Sequence, residues 1–446
     1  MAPKPGSEGM TAISRRRVLH IALPIVLSNA TVPILGAVDT GVVGQMGQAA
    51  PIGAVGVGAV VLTSIYWIFS FLRMGTSGFV AQARGAGDHP EVAAHLMRAL
   101  LVAFAAGFAL ICLQWPLFQL AFRIAPASAE VEALAQTYLS IRIWGAPATI
   151  GLYALTGWLI AVERTRGVLL LQLWMNSVNV LLDLLFVIGW GWGVAGVASA
   201  TLIAETTGLA LALWLARGAF QGGHWCDRTR LMNRAALVRM ARVNADIMIR
   251  SVVLQFSFTT FLFLGAAQGD LRLAANQVLL QFLEITACAL DGFAFAAEAL
   301  VGQAVGARNR ANLRHAARVA AEWSLLGAVF LALLFALGGP AIIDLMTTSP
   351  EIRTEARLYL PWLVVAPLIG VASWTLDGIF IGATMTREMR NAMLFSVAIY
   401  AVALLILPPL WGNHGLWAAL MVLNAVRGLS MAVYYPRAEA KVTSFS

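Results

Sequence analysis

Two carboxylates that lie in apolar stretches of this sequence, Asp39 and Asp183, are suited to binding and releasing a proton, and Asn179 and Thr201 are candidate hydrogen-bond partners for them. Asp39 is the only charged residue in the range 18–72. Asn179 and Asp183 are four residues apart, so a helix would place them on one face. An ionised carboxylate is costly in hydrocarbon, and such residues usually mark an ion or substrate pathway. Asp39 and Asp183 are therefore the first candidates for function.

Two carboxylates that lie close together at low dielectric cannot both stay ionised at low cost. Desolvation and mutual repulsion favour a pair that holds one proton near neutral pH. Such a pair can take a proton on one side of a membrane and release it on the other, with Asn179 and Thr201 as hydrogen-bond partners of either form. Two alternatives stay open. Asp39 and Asp183 could cap helix ends or face water at the outer mouth, and Asn179 and Thr201 could join helices structurally.

A second set of acids lies in the later half of the chain. Three of them follow each other at seven-residue spacing, and a fourth comes later: Glu284, Asp291, Glu298 and Asp377. One interpretation is an acidic track that lines a cavity for a cation or a second proton route. The other is ion pairing with arginines inside the membrane, such as Arg73, Arg142 or Arg250. Arg142 and Arg357 are interpreted as anchors at helix interfaces or as partners of acids.

The composition indicates which elements must position these residues. The chain has 446 residues, of which 60% are hydrophobic and 12% charged, with a mean hydropathy of +0.79. Soluble domains carry about 25% charged residues. Uncharged apolar runs of about 20 residues recur along the chain, and each is long enough to cross a bilayer as a helix. The sequence therefore predicts an all-α integral membrane protein.

Twelve apolar segments are predicted as transmembrane helices. They lie at 17–45, 52–82, 95–121, 131–160, 167–190, 193–217, 240–267, 273–306, 315–341, 354–383, 390–411 and 414–435. Arginines concentrate in alternate loops, whereas the opposite loops "GQMGQAAP", "GWGWG" and "WGNHG" carry no Lys or Arg. By the positive-inside rule, both termini are predicted to be cytoplasmic in a multi-pass protein of the inner membrane.

The two halves of the chain repeat each other at an offset of 221 residues. "AQARGAGD" at 81–88 pairs with "GQAVGARN" at 302–309. Two parallel six-helix bundles are predicted, because an even number of helices returns the chain to its starting side. In transporters, such repeats enclose a substrate site that opens alternately to each side. The predicted limits are a tail at 1–16, an N-lobe at 17–217, a linker at 218–239, a C-lobe at 240–436 and a tail at 437–446.

Several other classes of protein have little support in the sequence. The net charge of +8 follows the loops, so no nucleic-acid partner is required. Three scattered cysteines and the absence of an HExxH pattern argue against a metal site, and no cofactor is expected. The only lysines, Lys4 and Lys441, lie in the tails, which leaves no phosphate-binding Walker A loop. No enzyme motif emerges. A signal peptide at the N-terminus is the less favoured interpretation, because the apolar run is too long.

Longer motifs resemble the multidrug and toxic compound extrusion (MATE) family, and within it the DinF-like branch. The resemblance covers about residues 15–435. Its clearest signals are "PILGAVDTGVVGQMG", "AQARGAGD", "NVLLDLLFVIGWGWGVAGVASATLIAE", "LDGFAFAAEALVGQAVGARN" and "DGIFIGATMTREMRNAM". It implies two lobes of six helices, and export of organic, often cationic, compounds in exchange for H⁺ or Na⁺.

The resemblance also implies roles for particular residues. The functional network of the N-lobe corresponds to Asp39, Asn179, Asp183 and Thr201, and a proline that bends helix 1 corresponds to Pro24. The Na⁺-coupled NorM branch carries an acid in helix 7, whereas this chain has no carboxylate between Asp246 and Asp270. Proton coupling is therefore favoured over Na⁺ coupling.

The function predicted from the sequence is a secondary active exporter of amphipathic cations that exchanges them for H⁺. A Na⁺-coupled exporter is one alternative. A flippase for lipid-linked glycans is another, although such a protein would favour a cationic cavity that grips diphosphate. The expected partners are small organic substrates and the lipid bilayer, and the protein is expected to be a monomer.

Overall fold

The computed structural model describes residues 13–44, 49–124, 128–221 and 223–443, and within these ranges it leaves out the side chains at 33–40, 43, 49, 224 and 443. Long α-helices make up nearly all of this part of the chain. We number the twelve long ones α1 Arg15–Gly44, α2 Ala50–Gly85, α3 His89–Cys112, α4 Ala129–Ala161, α5 Thr165–Gly189, α6 Gly193–Leu215, α7 Arg234–Ala266, α8 Asp270–Gly306, α9 Arg310–Met346, α10 Pro350–Gly382, α11 Thr386–Trp411 and α12 Asn413–Thr443.

Eleven of these helices, α2 to α12, are long and apolar enough to cross a membrane. The remaining one, α1, has 30 residues and is about 45 Å long at 1.5 Å per residue, so its length also suffices. Helices are required here, because backbone groups inside a bilayer must find hydrogen-bond partners within their own segment. The predicted all-α membrane fold is confirmed.

The chain divides into two compact units. The C-terminal unit comprises the chain up to Val26, Ala81–Asp88 and Ala241–Ser446, and the N-terminal unit comprises Leu27–Val80 and His89–Met240. The start of α1 and the end of α2 thus pack with the later half of the sequence. The predicted lobe limits at 17–217 and 240–436 stay a prediction.

Three helices change their winding within the span. The α2 helix contains a 3₁₀ turn at Ile68–Ser70, and α4 contains one at Ile143–Gly145. In α5 the regular α-helix ends at Asp183, and the wider π-helical segment Leu184–Gly189 follows. Segments of this kind are frequent at functional sites.

The backbone repeats at the offset that the sequence motifs predict. Left-handed backbone conformations recur in three pairs whose members are 221 residues apart: Gly87 with Arg308, Glu163 with Thr384, and Gly191 with Gly412. Each pair lies at corresponding turns of the two halves. The repeat is therefore structural as well as sequential.

Glycines allow the repeated ends of α2 and α8 to touch within the C-terminal unit. A Cβ atom on Gly85 would lie 2.0 Å from the carbonyl oxygen of Gln303, and one on Gly306 would lie 1.9 Å from that of Gln82. The two contacts are reciprocal, because both residue pairs are related by the 221-residue offset. The glycines of "AQARGAGD" and "GQAVGARN" are thus required for close backbone packing.

Candidate functional site in the N-terminal unit

A buried hydrogen bond joins α5 to α6. The amide of Asn179, which is 1% exposed, donates from Nδ2 to Oγ1 of Thr201 at 3.0 Å. The hydroxyl of Thr201 in turn donates to the carbonyl oxygen of Val197 at 3.0 Å. Thr201 accepts one hydrogen bond and donates another, so its hydroxyl orients the Asn179 side chain. The structure brings these two predicted site residues together.

Asp183 lies one turn beyond Asn179 on the same face of α5 and is completely buried, at 0% exposure. It is the last residue of the regular helix, so the change to π-helical winding begins directly after it. Beyond it, the ring of Phe186 stacks with those of Trp190 and Trp192, and the three ring centroids lie 4.9 to 5.1 Å apart. This aromatic cluster covers the end of α5 that follows Asp183.

The polar face of α5 extends further than the sequence analysis recognised. Gln172, Asn176, Asn179 and Asp183 follow each other at spacings of four, three and four residues, which is one face of a helix. Nε2 of Gln172 donates to Oδ1 of Asn176 at 2.9 Å. We call these four residues the polar ladder of α5. The spacing is visible in the sequence, but the two residues at its start are uncharged and therefore give a weak signal.

Asp39 lies in α1, but its side chain falls outside the described residues. The predicted contact between Asp39 and Asp183 is therefore untested. One described hydrogen bond links the same two helices nearby, because Nδ2 of Asn176 donates to the carbonyl oxygen of Thr31 at 3.5 Å. Pro24 also lies in α1, within an unbroken helix and two residues before the chain passes from one compact unit to the other.

An ion pair that the sequence analysis missed joins α4 to α6 in the same unit. Arg142 donates from Nη1 to Oε2 of Glu205 at 2.6 Å and from Nη2 to Oε1 at 3.1 Å. Oγ1 of Thr149 donates to Oε2 of Glu205 at 2.9 Å. The 3₁₀ turn at Ile143–Gly145 follows Arg142, and a Cβ on Gly145 would lie 3.0 Å from the same carboxylate oxygen.

Two features of the sequence point to this ion pair. Glu205 is the only charged residue of α6, and it follows Thr201 by four residues on the same helix face. Arg142 was predicted to be an anchor or a partner of an acid, and Glu205 is that acid. The pair extends the polar region of α6 by one turn toward its end at Leu215.

The acids predicted as a second track differ widely in their surroundings. Along the α8 stripe, Glu284 is exposed, Asp291 is half-buried and Glu298 is fully buried. Asp377 forms ion pairs with Arg250 of α7, at 3.0 Å, and with Arg427 of α12. The ion-pair interpretation thus describes Asp377, and Arg427 is a partner that the sequence analysis did not name. Arg357 is paired with Asp344 at 2.6 Å.

The described residues contain no group of three or more His, Cys, Asp or Glu side chains that could hold a metal ion.

The fold defines a class of protein. The chain has a TM-score of 0.88 with a solved structure described as the outward-facing conformation of a multidrug resistance MATE family transporter of the MOP superfamily. The two chains are 19% identical, and the alignment covers 96% of each. Such transporters have twelve helices in two bundles. This chain has the same fold, and the predicted fold class is confirmed.

The family follows from the sequence. The model of the MatE family matches residues 24–185 and 247–407. The chain is 40% identical to the DNA damage-inducible protein F of Escherichia coli (strain K12) over 425 residues, or 95% of this chain and 92% of the relative. It is 28% identical to a probable multidrug resistance protein NorM of Synechococcus over 440 residues, or 93% of this chain and 92% of the relative. The chain belongs to the MatE family, as the motifs predicted.

Proposed function

We propose that this protein is a secondary active exporter that exchanges amphipathic, cationic organic compounds for protons. In this proposal, Asp39 and Asp183 are the carboxylates that bind and release the proton, and Asn179 and Thr201 hydrogen-bond to them. The observation that carries the proposal is Asp183 itself, a completely buried acid at the end of a polar ladder that contacts both α1 and α6.

The hydrogen bond between α5 and α1 supports the proposal that Asp39 and Asp183 lie at a similar depth in the membrane. Asp183 follows Asn176 by seven residues, and Asp39 follows Thr31 by eight. At 1.5 Å per residue, the two acids lie about 11 Å and about 12 Å beyond that contact along their helices. Both helices are odd-numbered spans and run in the same direction, so the contact favours neighbouring positions for Asp39 and Asp183.

A buried acid pair of this kind couples charge to conformation. With one proton bound, the pair carries a single negative charge, and losing that proton leaves two charges that repel each other at low dielectric. An organic cation that enters the same region would compensate the second charge. Proton and cation would then compete for one site, which is the requirement for exchange transport.

The surroundings of two C-terminal acids, Asp377 and Asp246, support H⁺ over Na⁺ as the coupling ion. Na⁺ prefers carboxylate and carbonyl oxygens that are not held by arginine. Asp377 is held by Arg250 and Arg427, and Asp246 is held by Arg390 at 2.5 Å. At the repeat position of Asp39 stands Thr260, whose hydroxyl donates to its own helix at the carbonyl of Phe256.

The proposal is tested in everted membrane vesicles with an acidified lumen, a pH indicator and a fluorescent cationic dye. Adding the dye outside should release protons from the lumen. Asp183→Asn and Asp39→Asn should each abolish that release, because an amide cannot exchange a proton. Asp344→Asn is the matched control, since it removes one carboxylate from an exposed ion pair at the end of α9 and should retain full release.

Two results would contradict the proposal. Proton release that persists in Asp183→Asn would exclude this acid as the coupling group. Dye uptake that follows an imposed Na⁺ gradient, and is insensitive to a proton gradient, would assign the coupling ion as Na⁺.

A further inference from the structure

A groove lies between α9, α10 and α12 of the C-terminal unit, with a volume of about 660 Å³. We call it the α9–α12 groove. Its entrance is formed by Arg314 and Arg318 of α9 and by Tyr435 and Glu439 of α12. The rest of the groove is lined by small and apolar side chains, among them Ala321, Leu325, Val371, Thr375 and Ile379. All the residues that line it belong to one compact unit.

The polarity of the groove changes along its length. Arg314, Arg318, Ala321 and Leu325 occupy one stripe of α9, at spacings of four, three and four residues. Leu325 lies 11 residues beyond Arg314, or about 16 Å along the helix. One leaflet of the hydrocarbon core is about 15 Å thick, half of the roughly 30 Å of the whole core. The groove therefore runs from a charged end to an apolar end over the depth of one leaflet.

The charged end carries more positive than negative charge. Glu439, which is 8% exposed, accepts hydrogen bonds from Arg310 at 2.9 Å and from Nε of Arg314 at 2.8 Å. Arg318 is exposed and forms no ion pair among the described residues. Three arginines thus face one carboxylate, and that carboxylate is already engaged by two of them. The entrance is suited to an anion.

The corresponding place in the N-terminal unit is covered by protein. By the 221-residue offset, Arg314 and Arg318 correspond to positions 93 and 97 of α3. In that part of α3, Arg98 is 2% exposed and donates to the carbonyl oxygens of Arg230, at 2.6 Å, and Leu231, at 3.3 Å. The linker after α6 therefore packs on α3. In the C-terminal unit, the described residues leave the equivalent surface open as the α9–α12 groove.

A groove with a basic end and an apolar end matches the head groups and acyl chains of a lipid bilayer. Large apolar side chains of α9 are exposed beside the groove, including Leu326 at 56% and Phe330 at 64%, as expected for a helix that faces hydrocarbon. Basic pockets between transmembrane helices on the cytoplasmic side bind anionic lipid head groups. Arg308 lies in the loop before α9 and Arg310 is the first residue of α9, which places this end on the predicted cytoplasmic side.

We infer that the α9–α12 groove binds one anionic phospholipid of the cytoplasmic leaflet. The phosphate of the head group lies against Arg318 and Arg314, at the end of the groove that Tyr435 also lines. One acyl chain follows the stripe of α9 toward Leu325 and lies on Val371, Thr375 and Ile379 of α10. The site is separate from the polar ladder, so the inference does not depend on the proposed transport function.

The test uses purified full-length protein and counts bound lipid by native mass spectrometry, with phosphatidylglycerol as the anionic probe and phosphatidylcholine as the zwitterionic one. We expect phosphatidylglycerol to bind in preference to phosphatidylcholine. Arg318→Gln should weaken phosphatidylglycerol binding about fivefold, the effect expected of one basic residue near an anionic lipid surface. This variant leaves Glu439 with both of its partners, so the fold is retained.

The matched control is Arg353→Gln. It also removes one arginine near a helix end, but at the start of α10, where Arg353 lies beside Asp344 at 3.5 Å. It should leave phosphatidylglycerol binding unchanged. A second variant, Ala372→Trp, fills the lining of the groove without a change of charge and should also reduce binding.

Four results would overturn the inference. The first is equal binding of the two lipids, and the second is an equal loss in Arg318→Gln and Arg353→Gln. The third is displacement of the lipid by soluble glycerol phosphate at equal concentration, which would show that the entrance recognises free phosphate rather than a lipid. Binding that persists in both Arg318→Gln and Ala372→Trp would exclude the α9–α12 groove as the site.

Discussion

At the scale of single residues, the hydroxyl of Thr201 has a role that its side-chain volume does not explain. It accepts from Asn179 and donates to Val197, so it fixes the amide of Asn179 one turn from Asp183. Valine, which has a similar shape to threonine but no hydroxyl, would still pack at this position. It would also remove an acceptor from a buried amide, and the loss of such a partner costs about 1–3 kcal/mol.

We therefore expect Thr201→Val to lower the melting temperature of the purified protein and to slow dye-driven proton release. Thr201→Ser keeps the hydroxyl and should preserve most of both. The measurements are a thermal melt in detergent and the everted-vesicle assay on the same preparations. If Val and Ser variants behave alike, the hydrogen bond to Asn179 does not contribute to either property.

At the scale of secondary-structure elements, close helix packing depends on a few glycines. The ends of α2 and α8 approach so closely that a single added carbon on Gly306 would overlap a backbone carbonyl, which cannot move as a side chain can. Gly338, by contrast, is a helical glycine that stands in open space. A Cβ atom added to Gly338 of α9 would have only the tip of Leu334 within 4 Å, at 3.9 Å.

We expect Gly306→Ala to destabilise the protein by about 1–3 kcal/mol, the usual cost of overpacking. Gly338→Ala makes the same chemical change in an open position. It should be neutral or stabilise the protein slightly, because alanine is the better helix former. Thermal melts of both variants check the contrast, and similar melting temperatures would refute the close contact between α2 and α8.

At the scale of the whole molecule, α1 is one of three described helices, with α2 and α7, in which the chain passes from one compact unit to the other. In α1 the passage falls between Val26 and Leu27, two residues after Pro24. Proline cannot donate the backbone hydrogen bond to the residue four positions earlier, so α1 is weakened in the turn that precedes the change of unit. Pro340 of α9 also lies inside a helix, but both ends of that helix belong to the C-terminal unit.

We expect Pro24→Ala to strengthen α1 and to slow dye-driven proton release several-fold, with no loss of thermal stability. Pro340→Ala should change the transport rate little, because α9 does not connect the two units. The vesicle assay measures the transport rate of each variant, and a thermal melt measures its stability. Full transport by Pro24→Ala would show that bending at this proline is not needed.

The sequence alone determined the elements of this protein. Long apolar runs became helices, because lipid offers no partner for backbone polar groups, and so most span limits could be predicted within a few residues. The third span was predicted to end at 121 and the twelfth at 435, whereas α3 ends at Cys112 and α12 at Thr443. The repeat was also visible, since "AQARGAGD" and "GQAVGARN" preserve glycines that close packing requires. Asp39 and Asp183 could be singled out as candidates because a lone carboxylate is costly in an apolar run and therefore stands out from its surroundings.

Only the tertiary structure decided which charged groups meet. Glu205 pairs with Arg142, and Asp377 with Arg250 and Arg427, across helices that are distant in sequence. Glu284 and Glu298 share one helical stripe, yet one is exposed and the other buried. Periodicity fixes the face on which a residue lies, but its partner depends on the depth and rotation of the neighbouring helix. Those follow from side-chain packing between helices, which no single segment encodes.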